Sequence, residues 1–179
     1  MAKISTYPVD SSVSLADYVI GTDAEDSNIT KNYTIGSIFA ISSGHVNGYS
    51  ITPTTTTFAA TNTYVVLANV YTEGSASKWS AATNRLTYTG TTPATTNAFL
   101  ITFVVSTKDA LSKLTFLIYK NGVPLADTQQ GTATTENNNI TIQTIQNATT
   151  SDYFQVFVKS SAIGSVLCNS INATAVAVR

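Results

Sequence analysis

From Gly48 onward the chain consists of short runs of β-branched and aromatic residues separated by clusters of Thr, Asn, Gly and Ser, with no sustained helical period. A chain patterned this way builds its core from sheets, because apolar residues recurring every second position collect on one face of a strand. Strands are predicted at Tyr49 to Thr52, Thr63 to Asn69, Arg85 to Thr89, Phe99 to Ser106, Leu114 to Lys120, Asn139 to Ile145, Tyr153 to Ser160 and Ser165 to Val178, the last long enough to be interrupted. About eight such strands predict an all-β sandwich or jelly roll. The sharpest local signal is Lys120-Asn121-Gly122, since Asn-Gly takes up the positive φ values of a type I′ turn and should close a tight hairpin between 115–119 and Val123-Pro124-Leu125.

Alternation within these strands bears on assembly. Phe154, Val156 and Val158 share one face, the expected core, while Tyr153, Gln155, Phe157 and Lys159 share the other. Leu114, Phe116 and Ile118 alternate with Thr115, Leu117 and Tyr119, so both faces of that strand are partly apolar. A sheet covered on one side by its own core and on the other by a second copy has this pattern, which makes Leu117, Tyr119, Tyr153 and Phe157 the expected interface residues. The competing reading is an ordinary mixed exterior.

Composition sets what chemistry is available. In 179 residues there are one His and one Cys, and charged residues make up 11%, with a formal net charge of −1. Metal sites built from Cys and His lack raw material, no calcium-loop pattern of acidic residues occurs, and near-neutrality gives no electrostatic reason to bind nucleic acid. No cofactor is expected. A single cysteine forms no intramolecular disulfide, so stability must come from packing or from association. No apolar run approaches the roughly 18 residues of a membrane span. The N-terminal residues lack the pattern of a signal peptide, which predicts synthesis in a cytoplasm without membrane insertion, and the five Asn-x-Thr triplets are then expected to stay unmodified.

Weighed singly, the residues that could carry catalysis read as structural. His45 lies in the junction 42–48, ill placed to hold a general base, and Cys168 reads as a small buried hydrophobe. Asp127, Glu136 and Asp152 could supply a carboxylate pair for glycoside hydrolysis, but turns ordinarily contain such residues. The stretch 74–78 has the outline of a phosphate loop without its Gly-Lys-Ser/Thr ending. The chain is expected not to be an enzyme. Trp79, Tyr88 and Tyr49 would stack on sugar rings or meet a receptor if they sit on loops, although aromatics in β proteins more often belong to the core.

The first part of the chain differs in character. Five acidic residues precede residue 27 and only Lys3 and Lys31 oppose them before residue 44, a net −3 that leaves +2 for the rest. This shift places a boundary near Ser42-Ser43-Gly44 and divides the chain into 1–43 and 44–179. Two short strands, Asp17 to Gly21 and Asn28 to Thr34, and a short helix around Ile35 to Ile41 are expected in a segment too small for its own core.

Two stretches carry a resemblance. Val13-Ser14-Leu15-Ala16-Asp17-Tyr18-Val19-Ile20-Gly21-Thr22-Asp23, followed by Thr30-Lys31-Asn32-Tyr33-Thr34-Ile35-Gly36-Ser37-Ile38, resembles the N-terminal segment of tailed-bacteriophage structural proteins. Phe99 to Arg179 is similar to the C-terminal part of tumour-necrosis-factor and C1q-like jelly rolls, through 119–123, 151–156 and 171–178, although Ser151 stands where that pattern has Gly and the last strand is Ala-rich rather than aromatic. Together these resemblances imply a non-enzymatic virion protein with a TNF/C1q-like antiparallel jelly roll, a homotrimer on the virion surface. Its N-terminal segment would attach to other virion proteins, capsid or tail, through Tyr18, Ile20, Tyr33, Ile35, Ile38 and Phe39. Head fibre or capsid decoration is the implied role. A tail-fibre or tail-tip adhesin that contacts a host receptor or glycan through Trp79 and Tyr88 is the alternative.

Overall fold

The computed structural model describes residues 14, 16–23, 29–35, 44–91, 98–108, 113–131 and 138–178. The chain divides into two compact units, Met1–Ser42 and Ser43–Arg179.

In the first unit, β1 (Tyr18–Asp23) and β2 (Ile29–Thr34) pair antiparallel in a two-stranded sheet. The Ile35 amide donates to the Asp17 carbonyl at 2.8 Å and closes the open end. Both carboxylate oxygens of Asp17 accept from Ser14, from its amide at 2.6 Å and its hydroxyl at 3.1 Å. The helix expected after Thr34 falls outside the described residues beyond Ile35.

The second unit is the predicted all-β antiparallel jelly-roll sandwich. Its strands are β3 (His45–Ser50), β4 (Thr54–Phe58), β5 (Val65–Val66), β6 (Thr72–Ser77), β7 (Trp79–Ala82), β8 (Arg85–Tyr88), β9 (Ala98–Lys108), β10 (Leu114–Lys120), β11 (Val123–Pro124), β12 (Gln130–Gly131), β13 (Asn138–Asn147), β14 (Tyr153–Ser160) and β15 (Gly164–Ala177). Sheet I has the order β13-β9-β15-β3-β6, with β4 also paired to β15. Sheet II has the order β11-β10-β14-β8-β7, with β12 on β10 and β5 on β14. The chain crosses between sheets at β4 to β5, β5 to β6, β6 to β7, β8 to β9, β9 to β10, β12 to β13, β13 to β14 and β14 to β15, which interleaves distant segments as a jelly roll does.

Period-two alternation fills the space between the sheets. Phe99, Ile101, Phe103 and Val105 point inward from sheet I and Phe116, Ile118, Phe154, Val156 and Val158 from sheet II, all buried. Ala173 and Ala175 on the central strand lie opposite Phe103 and Ile101, so small residues make room for large ones. A register shift between Cys168 and Ser170 interrupts β15, as its length suggested.

Asn121 (φ 52°) and Gly122 (φ 79°) form the expected two-residue turn, with Lys120 opposite Val123. Two departures from the sequence reading stand out. His45 opens β3 instead of lying in a flexible junction. The stretch 74–78 belongs mostly to β6.

Trp79 and Tyr88 are both buried, which corrects their assignment as receptor or glycan contacts. They are direct partners across β7 and β8, and their rings meet edge to face at 5.2 Å. Trp79 also meets Phe99 at 5.0 Å and Phe154 at 6.0 Å, so its ring joins the two sheets. Trp79→Ala should lower unfolding stability by about 3–5 kcal/mol in urea titrations, and Gly122→Ala, which forces a side chain into the left-handed region, by about 1–2 kcal/mol.

Candidate functional surfaces

The described residues hold no group of three or more His, Cys, Asp or Glu placed to bind a metal. Cys168 is buried, its Sγ lies 3.7 Å from the Ser170 carbonyl oxygen, and desolvation pushes its thiol up to about 11, so the thiolate is not formed at neutral pH. His45 pairs through Nε2 with the Ser75 hydroxyl at 3.0 Å, across neighbouring strands.

Asp152 is committed to the β10–β11 hairpin. Its carboxylate accepts from the Thr149 amide at 2.9 Å and the Asn121 amide side chain at 2.6 Å, and pairs with Lys120 Nζ at 3.0 Å. Burial opposes its charge, but these three donors together hold the carboxyl below the ordinary carboxylate range. Asn121 also accepts from the Tyr153 amide at 2.8 Å, which ties the turn to the start of β14. Asp127 is exposed on a single 3-10 turn, Ala126–Thr128, and Glu136 lies outside the described residues.

The outward faces of the two sheets hold the remaining candidate residues. On the outward face of sheet II, Tyr119 stacks on Phe157 with centroids 3.8 Å apart and Tyr64 leans on Tyr119 at 6.2 Å. Lys159 Nζ sits 4.8 Å over the Tyr64 ring and the Arg85 guanidinium 5.4 Å over Tyr153. The sequence reading brought Leu117, Tyr119, Tyr153, Phe157 and Lys159 to this face and missed Tyr64 and Arg85. Leu117 is only 4% exposed, so its own chain already covers it and it has no surface left for a copy to bury, a correction to its place among interface residues. The other three are half-buried.

The outward face of sheet I is different. Rungs such as Ile145-Leu100-Val176-His45 and Thr141-Val104-Asn172-Tyr49 cross β13, β9, β15 and β3. Val104, Ile145 and Val176 are exposed by 44%, 60% and 50%. A groove of about 250 Å³ opens at one end, lined by Tyr49, Ile51, Val104, Asn139 and Asn172 among others. Of the three aromatics weighed for sugar stacking, Tyr49 faces outward.

In the N-terminal hairpin, Tyr18 lies opposite Thr34 and Ile20 opposite Asn32, so both apolar side chains share one face, exposed by 70% and 74%. Tyr33 lies opposite Val19 on the other face, and Tyr33 and Ile35 are half-buried. Ile38 and Phe39 lie outside the described residues.

The Asp152 cluster makes stability depend on pH. A carboxyl depressed by folding contributes fully above its unfolded pKa and loses that contribution as pH falls through the folded value. Asp152→Asn should cost about 1 kcal/mol at pH 7 by urea titration, with the gap to the wild type closing as the pH drops below the ordinary carboxylate range.

No protein-family model matches the chain, and no curated protein sequence does. Among solved structures it is similar to murine APRIL, at 10% identity over 75% of this chain and 99% of that one, with a TM-score of 0.49. It is also similar to PRD1 vertex protein P5, at 13% identity over 76% of this chain and 97% of that one, with a TM-score of 0.47.

Proposed function

We propose that this chain is a non-enzymatic structural protein of a bacteriophage virion, a homotrimeric head fibre or capsid decoration protein. Residues 1–43 hold it on the particle and the jelly roll projects from the surface. The observation that carries this reading is the hairpin of β1 and β2. A two-stranded sheet of six-residue strands is marginal in water by itself. This one nonetheless keeps Tyr18 and Ile20 side by side and open to solvent. Burying each against a particle protein would contribute about 1.5–3 kcal/mol. One such contact is weak, but a trimer brings three, and linked attachment raises avidity far above that of a single hairpin. The sequence resemblance of 13–38 to virion structural proteins points the same way.

The adhesin alternative loses Trp79 and Tyr88 to the core and keeps Tyr49, whose ring lines the groove of sheet I beside two amide side chains. A glycan array separates the two readings, because a decoration protein binds no glycan there and an adhesin loses its binding on Tyr49→Ala.

Residues 44–179 expressed alone should fold to a β domain with an unfolding midpoint close to that of the full chain, yet be missing from purified particles. Full-length Ile20→Glu should show reduced occupancy on particles. A truncated chain that still decorates particles would overturn the anchor. Labelled copies seen on intact particles distinguish head from tail.

A further inference from the structure

The strands of sheet II contain no Asp or Glu. Their outward positions carry two cations, Arg85 on β8 and Lys159 on β14, and neither is in an ion pair among the described residues. Lys113, exposed one position before β10, accepts the Ser161 amide on its carbonyl at 3.4 Å and so stands at the Lys159 end. Lys120 is turned from this face, because its Nζ sits 5.8 Å over the inward Phe154 ring and pairs with Asp152. Two carboxylates lie at the rims of the sheet. Glu73 of β6 accepts from the Ala81 amide at 2.6 Å, and Asp127 is on the 3-10 turn beside β10. The outward face itself is positive, and its cations lack an anion.

Aromatic rings lie between these cations. Tyr119 stacks on Phe157, Tyr64 leans on Tyr119, and Tyr153 lies beneath the Arg85 guanidinium. The register sets Tyr153 opposite Thr87 and Phe154 opposite Leu86, so Arg85 comes level with Gln155. From there to Lys159 is about 13 Å along β14 at the rise of a strand, a span longer than one sugar ring. A polymer of acidic sugars matches both features. The negative face of an aromatic ring attracts the C–H hydrogens of a pyranose, and carboxylates repeated along the polymer reach cations spaced along the strand. The planar fork of Arg85 takes a carboxylate through two parallel hydrogen bonds. Protein partners anchor by filling pockets with large side chains, whereas rings stacked at 3.8 Å present a ledge.

We propose that the outward face of sheet II binds an acidic polysaccharide, its carboxylates on Arg85, Lys159 and Lys113 and its sugar rings against Tyr119, Phe157 and Tyr64. Each contact is weak, because an exposed ion pair contributes at most about 1 kcal/mol. A polymer long enough to meet several copies of the chain holds through avidity. The site lies on the opposite sheet from the Tyr49 groove, goes beyond the particle-attachment reading and stands without it.

Binding of the full chain to immobilised polygalacturonate and hyaluronate, two uronate polymers, tests this, with dextran as a neutral polysaccharide and poly-L-glutamate as a polyanion without sugar rings. The wild type should bind the uronate polymers, more weakly as salt rises, and bind dextran and poly-L-glutamate less tightly. Arg85→Gln and Lys159→Gln should each weaken uronate binding about fivefold with an unchanged far-UV spectrum. Tyr119→Ala should weaken uronate binding and leave the residual binding to poly-L-glutamate as it was; if that variant loses its β spectrum, Tyr64→Ala repeats this arm. Absence of uronate binding, or binding that survives Arg85→Gln combined with Lys159→Gln, would overturn the site. Equally tight binding to poly-L-glutamate would overturn the sugar as its occupant, and binding lost on Tyr49→Ala alone would move the glycan to sheet I. All of these outcomes leave the N-terminal anchor untouched, since occupancy on particles reads it separately.

Discussion

The jelly roll depends on one layer of aromatic rings between its sheets. Each sheet alone exposes an apolar face, and facing sheets stand about 10 Å apart, a gap that long side chains close. Trp79 from sheet II meets Phe99 from sheet I at 5.0 Å, edge to face, and Tyr88 meets both rings at 5.2 Å. Room for this layer comes from residues without bulk. A Cβ on Gly44 would stand 3.1 Å from the Phe99 ring, and one on Gly48 would stand 2.6 Å from the Ala81 Cβ. The entry of β3 can lie where it does because nothing projects from those positions. With the inward faces spent on this packing, interactions with other molecules fall to the outward faces and to the hairpin.

The strands that were legible in sequence are those whose inward residues are large. Tyr153–Ser160 and Leu114–Lys120 appear with the expected limits because Phe154, Val156, Val158, Phe116 and Ile118 announce the alternation. β3 was read short at its start because its inward positions are Val46, Gly48 and Ser50, and small residues hide a period of two. β6 was missed for a related reason. Thr72–Ser77 has little intrinsic preference for a strand and forms one because β3 offers it an edge, which is a tertiary effect. The burial of Trp79 could not be read from its neighbours Lys78 and Ser80. It follows from pairing with Tyr88, which the turn at Asn84 (φ 61°) sets in register.

The candidate surfaces show the same division. Alternation placed Tyr119 and Phe157 on one outward face, because both strands have large residues on both sides. It did not show that their rings stack on each other or that Leu117 is buried, since both depend on which strands are neighbours. The sparsely charged face of sheet I is assembled from four strands far apart in sequence, each unremarkable by itself. Its character emerges once 45–50, 98–108, 138–147 and 164–177 lie side by side.

The abundance of threonine then has two physical reasons. A β-branched side chain suits a pleated sheet, which explains why so polar a residue is common in a chain with a substantial core. An uncharged hydroxyl that donates and accepts also lets an outward face enter an interface without desolvating a charge, the step that most often makes polar association unfavourable.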